Sequence, residues 1–302
     1  MKRPPSRPSL DSTDVPQPPH VAVLVAESLA ALAVRPGGRY IDATFGAGGH
    51  ARALVAAGAR VVAFDRDPDV ELPSDLEPAV TLVRRNFADL AAALDELGID
   101  QVEGALFDLG VSSMQLEHAE RGFSLQHDGP LDMRMNPSSG PSAAELLARL
   151  DERELADLLH RFGEERAARR IARAIMTARA AGRLPSRTLE LARLVAGAVH
   201  KAGRRERIHP ATRTFQALRI AVNAELSALE RGLDAAAERL RPGGRLVAIS
   251  FHSLEDRIVK QTFRDDARLR PVTKKPLVAT AAEVAQNPRA RSAKLRAAER
   301  AA

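Results

Sequence analysis

Asp65, Asp108 and a cluster of three glycines are the residues of this chain best placed to do chemistry. Asp65 closes a short β-run, ARVVAF at 59–64, and lies nineteen residues after Gly46. Gly46, Gly48 and Gly49 follow another β-run, YIDA at 40–43, and a helix-like run begins at His50. Glycines let a backbone turn sharply and let a ligand approach with no Cβ in the way, and the N–H groups that open the next helix face that ligand. A carboxylate at the tip of the neighbouring strand accepts hydrogen bonds from both hydroxyls of an adenosine ribose. This spacing suits a dinucleotide and S-adenosylmethionine alike. The turn leans toward the second. Gly46-Ala47-Gly48-Gly49-His50-Ala51 lacks the third glycine of the dehydrogenase turn, and Asp42 sits at the exit of the first strand. A carboxylate there is unfavourable beside a pyrophosphate and favourable beside a sulfonium or an amino group.

Asp108 ends a third apolar run and opens Asp108-Leu109-Gly110-Val111-Ser112-Ser113. The exocyclic amine of a nucleobase is a poor nucleophile because its lone pair is delocalised into the ring. An acceptor that holds its N–H localises the pair and takes the proton. Asp108 or a nearby carbonyl could do this beside Ser112 and Ser113, or Asp108 could cap the following turn. Phe87 follows the short run 79–83 and could lie against an adenine or simply pack in the core. His252 could be a base, a phosphate contact or a core histidine. Arg134, Arg213, Arg219 and Arg257 are candidate RNA contacts, with solvent exposure as the plain alternative. No metal is expected, since the histidines and carboxylates lack tight ligand spacing and there is no cysteine.

The elements that must position these residues alternate. Strands are expected at 39–44, 60–65, 79–83 and 102–108, with helices at 20–34, 49–57 and 88–97. That alternation predicts a parallel sheet covered by helices. Three prolines between Asp65 and Val80 leave room only for a short or broken helix. A long loop follows over 110–140, then helices over 141–203 with Leu146, Leu147, Leu150, Leu155, Leu158 and Leu159 at helical spacing. A single long helix is expected from Ala211 to Leu240, ended by Pro242-Gly243-Gly244, with a strand at 245–250 and a helix from Leu254. Closing strands are expected at 276–279 and 293–297.

The composition narrows the class. With 302 residues, 45% of them hydrophobic, the chain can build one large core plus an insertion. The absence of cysteine fits a reducing cytoplasm, and no apolar run is long enough for a membrane span or a signal peptide. Residues 1–19, with six prolines, are expected to be a disordered tail. The net charge of +6 is uneven: Arg161 to Arg207 holds thirteen Lys/Arg against four Asp/Glu, a local +9. Such a face is a candidate polyanion surface. A methyltransferase acting on a protein or a small molecule would not need it. A binding factor with a remnant nucleotide fold would not need Asp65, Asp108 and an intact glycine turn.

Taken together, IDATFGAGGH at 41–50, FDRDP at 64–68, DLGVSSMQL at 108–116, DGPLDMRM at 128–135, HPATRTFQALRIAVN at 209–223 and PGGRLVAISFHSLEDRIVK at 242–260 resemble one family. It is the ribosomal RNA small subunit methyltransferase H family, and the resemblance spans residues 20 to 300. It implies an α/β fold: a Rossmann-like class I methyltransferase sheet with an inserted all-helical subdomain. The sheet domain would take residues 20–115 and 205–302, and the substrate-facing loop and helices 116–204. The implied reaction moves a methyl group from S-adenosylmethionine to N4 of a cytosine in 16S rRNA, near the decoding centre of the small ribosomal subunit. The implied cofactor residues are Gly48, Gly49, His50, Asp65, Phe87, Asp108 and Gln115, beside the Gly46 read from the turn. Monomer and homodimer both stay open. Met114 departs from the family, which usually has proline there, so a looser turn around Gln115 is expected.

Overall fold

The computed structural model describes residues 22–199 and 208–302. The expected proline-rich tail and the 204/205 domain boundary lie outside the described residues. In chain order the elements are α1 (Val25–Leu32), β1 (Arg39–Asp42), α2 (Gly49–Ala56), β2 (Arg60–Phe64), β3 (Val80–Val83), α3 (Leu90–Glu96), β4 (Val102–Asp108) and α4 (Ser113–Glu117). Then come α5 (Ala143–Arg149), α6 (Glu152–Gly163), α7 (Ala168–Ala180), α8 (Thr188–Val199), α9 (Thr212–Asn223), α10 (Glu225–Arg239) and β5 (Leu240–Ser250). The chain closes with α11 (Ser253–Asp265), β6 (Leu269–Pro271), α12 (Ala281–Gln286) and β7 (Lys294–Arg300).

The seven strands form one sheet in the order β3-β2-β1-β4-β5-β7-β6. Strands β1 to β5 pair in parallel, and β7 runs antiparallel to both β5 and β6. This is the α/β sheet that the resemblance implied. The central strands read as continuous apolar runs because both faces are covered. On one face Ile41, Val62, Phe107 and Leu246 pack beneath α3, α10 and α11. On the other, Tyr40, Val61, Leu106 and Val247 pack beneath α1 and α2. The carboxyl ends of the parallel strands therefore open along one edge.

Helices α5 to α8 lie between β4 and β5 in sequence and share a third core. In α6 the leucines at helical spacing, Leu155 and Leu159, are fully buried, and Asp151 and Glu154 form a capping box at its start. Truncating either leucine to alanine would cost about 2–5 kcal/mol. This core also takes in Phe215, Ala217 and Leu218 from α9.

Two expected elements differ. The single helix over 211–240 is two, broken at Ala224, whose φ is 49°. Neither glycine nor proline marks the break. It is made by Asn223, which donates to the carbonyl of Met133 at 2.7 Å and accepts from the N–H of Met135 at 2.8 Å. Satisfying that buried amide outweighs one more helical turn. The strand expected at 276–279 reduces to an isolated bridge of Leu277 with Leu295, and the short edge strand is β6 instead. Arg270 and Glu299, paired at 2.8 Å, tie β6 to β7.

Candidate active site

The open edge holds a cleft of about 350 Å³, within the range of small-molecule sites. Gly46, Gly49, His50, Asp65, Phe87, Asp108, Ser112 and Gln115 line it, each carried there by a strand end, the turn after it or the first turn of the next helix. Asp65 follows β2. Its carboxylate accepts from the N–H of Gly46 at 2.8 Å and of Asp67 at 2.9 Å, so both oxygens are aimed before any ligand arrives. Burial pushes its pKa up against those two bonds. Phe87 stands after β3, its ring edge-on to Phe107 at 5.4 Å and packed against Gly232 of α10.

The glycines serve partly for packing. Gly48 has φ of 77°, and a Cβ there would come within 2.9 Å of the Phe45 ring. One on Gly49 would come within 2.7 Å of Ala22 Cβ. The turn thus closes against its own strand exit and the segment before α1. Gly48 does not itself line the cleft.

Beneath the turn lies a buried charged group. Asp42 is fully buried and His50 is 4% exposed. His50 Nε2 stands 3.3 Å from Asp108 Oδ2. Asp42 Oδ2, both His50 nitrogens and Asp108 Oδ1 are buried without a hydrogen-bond partner. Burial drives the Asp42 pKa up to about 6, partly offset by His50. Burial alone would depress the His50 imidazolium, but Asp108 and Asp42 outweigh it and hold its pKa above the ordinary value. The backbone N–H of Asp108 donates to Thr44 Oγ1 at 2.7 Å, which locks the ends of β1 and β4 together.

Unsatisfied buried acceptors beside a glycine turn call for a cationic or N–H-bearing ligand. Aimed oxygens on Asp65 call for a diol. That donor set fits S-adenosylmethionine better than a dinucleotide. Residues 17–301 match the MraW methylase family over nearly the whole chain. The chain belongs to that family. Among its relatives, one of Pelobacter propionicus is 50% identical over 93% of this chain and 98% of its own length. One of Rhizorhabdus wittichii is 52% identical over 94% of each chain, and one of Geobacter sulfurreducens is 51% identical over 93% of this chain and 98% of its own. All three bear the name Ribosomal RNA small subunit methyltransferase H.

Within this MraW methylase the other expected residues fall in different places. Gln115 is buried, accepts from the N–H of Ser112 and donates to Asp67 Oδ2 at 2.8 Å. Asp67 also pairs with Arg121 at 2.8 Å, so the turn that follows Met114 is anchored to the end of β2. Ser112 Oγ caps α4, and Ser113 begins it. His252 does not line the cleft. It caps α11, with Nε2 3.1 Å from Glu255 Oε1. Arg219 is 16% exposed and holds Glu225 through two bonds of 2.8 Å, so it faces the cleft and not open surface. Arg134 is bound to Asp132, Arg257 to Glu164 Oε1, and Arg213 to the Glu164 carbonyl.

Glu225 and Glu255 were not found from sequence. Glu225, His252 and Glu255 bring ligand atoms within 4.8 Å of one another, a grouping that linear spacing does not show. The guanidinium of Arg219 stands 4.0 Å from Glu255, and Glu255 accepts from the N–H of Phe251 at 2.8 Å, so the group is a salt-bridged cap. Although buried, Glu255 is held below the usual range by His252, Arg219 and the N–H of Phe251. Thr44 and Phe251 carried a signal, since both lie inside the quoted runs. Asn287 and Ser292, which also line the cleft, carried the same signal, since they lie in NPRARSAKLR at 287–296, a further run that resembles the family.

Proposed function

We propose that this chain transfers the methyl group of S-adenosylmethionine to the N4 amine of a cytosine in 16S rRNA, near the decoding centre of the small ribosomal subunit in the cytoplasm. The observation that carries the reading is the cleft floor, where His50 and Asp108 line the cleft beside the glycine turn with buried polar atoms that lack partners, and Asp42 lies fully buried beneath them. When bound, S-adenosylmethionine supplies an electrophilic methyl group on a sulfonium. Asp65 takes the ribose hydroxyls, Phe87 the adenine, and the backbone of Gly46 to His50 the methionine end. Asp42 and Asp108 favour the positive charge by direct attraction. Asp108 holds the amine N–H through Oδ1, localises the nitrogen lone pair and takes up its proton, while Oδ2 stays against His50. Gln115 and Ser112 keep the covering turn in place, so the chain contributes positioning and one acceptor.

The target base must be unpaired or leave its stack to reach Asp108. Arg169, Arg170 and Arg193 stand exposed on α7 and α8, and this basic side of the insertion (residues 116–204) suits the phosphates around that base. The deciding experiment is transfer of labelled methyl to small subunits from cells that lack this protein, followed by nucleoside analysis. N4-methylcytidine in 16S rRNA is the expected product. Label absent from RNA while the cofactor still binds would overturn the reading in favour of another acceptor or a binding role.

A further inference from the structure

A reaction at an exocyclic amine needs the base held flat, with one ring face against something rigid. Aromatic rings are scarce: nine Phe, one Tyr and no Trp. Four phenylalanines line the cleft. Phe45 and Phe64 are buried in the cores at 3% and 0% exposure. Phe87 is pinned after β3 by Phe107 and Gly232. Phe251, after β5, is the partly exposed ring that the cofactor residues leave unused.

From this we infer that Phe251 is the stacking platform of the target base, in a nucleobase subsite separate from the adenine end of the cleft. The inference rests on the methyltransferase reading above. Phe251 lies two residues beyond Ile249, which pairs with Asp108, and the N–H of Leu109 donates to the carbonyl of Ile249 at 3.0 Å. The ring is thus beside the turn that carries the acid. A Cβ on Gly110 would already touch its Cδ2 at 3.7 Å. The Phe251 backbone is fixed because its N–H donates to Glu255 at the start of α11. Val111 from the turn after β4 and Leu116 and Met135 from the insertion give the cleft apolar side chains. Phe87 and Phe251 follow different strands, β3 and β5, so an adenine and a second base do not compete for one ring.

The test compares wild type, Phe251→Leu and Phe251→Tyr. Small subunits from cells lacking this protein are the acceptor, and S-adenosylhomocysteine binding is measured by calorimetry. Loss of one stacked base predicts transfer about 10- to 100-fold slower in Phe251→Leu, with S-adenosylhomocysteine affinity unchanged. Phe251→Tyr keeps the ring and should recover most of the rate. Phe251→Leu transferring at the wild-type rate would overturn the inference. So would a loss of S-adenosylhomocysteine affinity that matches the loss of rate, which would assign the ring to the cofactor. Should Phe251→Leu fail to fold, Phe251→Met takes its place, and a rate equal to that of Phe251→Tyr would overturn the inference. Wild type that labels no RNA would instead remove the underlying reading.

Discussion

Two groups of buried charge lie beside the same cleft and differ in how they are satisfied. Asp42 Oδ2, His50 Nδ1 and Asp108 Oδ1 are buried without hydrogen-bond partners, and His50 Nε2 lacks an aligned one though it lies 3.3 Å from Asp108 Oδ2. Across the cleft, Arg219, Glu225 and Glu255 hold one another, and Glu255 also accepts from the N–H of Phe251. The second group is nearly complete by itself; only His252 Nε2 lacks an aligned partner, and it still lies 3.1 Å from Glu255. A complete network stabilises the meeting of α9, α10 and α11. An incomplete one is costly in the ligand-free protein and is kept where a ligand completes it. The same residue types therefore mean structure on one side and chemistry on the other.

Asp108→Asn should break the comparison most sharply. It keeps the shape but removes the proton acceptor, so methyl transfer to small subunits should fall about 10²- to 10⁴-fold while rRNA binding by filter retention is unchanged. Unchanged methylation would remove Asp108 from its role. On the complete side, Arg219→Ala strands two carboxylates, and thermal or urea unfolding should show a loss of about 3–5 kcal/mol. Arg257→Ala breaks an exposed pair with Glu164 and should cost about 1 kcal/mol or less in the same assay. Equal losses for the two arginines would show that burial does not set the difference.

Asp42→Asn should act with the opposite sign. Because the folded-state pKa of Asp42 is raised from 3.8 to about 6, its ionisation penalises the folded state as pH rises through that window, and the penalty is complete above it. An asparagine cannot ionise. The variant should gain up to about 3 kcal/mol over wild type at pH 8 and little near pH 4, with weaker binding of the cationic cofactor. A gain that does not grow with pH would show that Asp42 is not the titrating group.

Much of the fold was legible because its signals are local. Apolar runs bounded by glycine marked β1, β2 and β4, and leucines at helical spacing marked α5 and α6. The misplaced elements had no local signal. The helix break at Ala224 depends on Asn223 reaching Met133 and Met135, about ninety residues earlier in the chain. The closing edge strand depends on which segment pairs with β7. In the site, Asp65 and Asp108 were readable from their places at strand ends, while Phe87 stayed open between cleft and core and was favoured only by the resemblance. Arg219 was not readable as a cleft residue, because its partner Glu225 belongs to the next helix and turns toward it only once Ala224 bends the chain.

The sequence by itself determined the turn, the strand ends and the carboxylates that stand on them, because backbone dihedrals and side-chain periodicity are properties of neighbours in the chain. The tertiary structure alone decided which charges are left without partners. Whether a buried carboxylate is a salt bridge or a waiting acceptor depends on what distant segments bring to it. Ala22, Phe251 and Arg219 arrive at the one cleft from opposite ends of the fold.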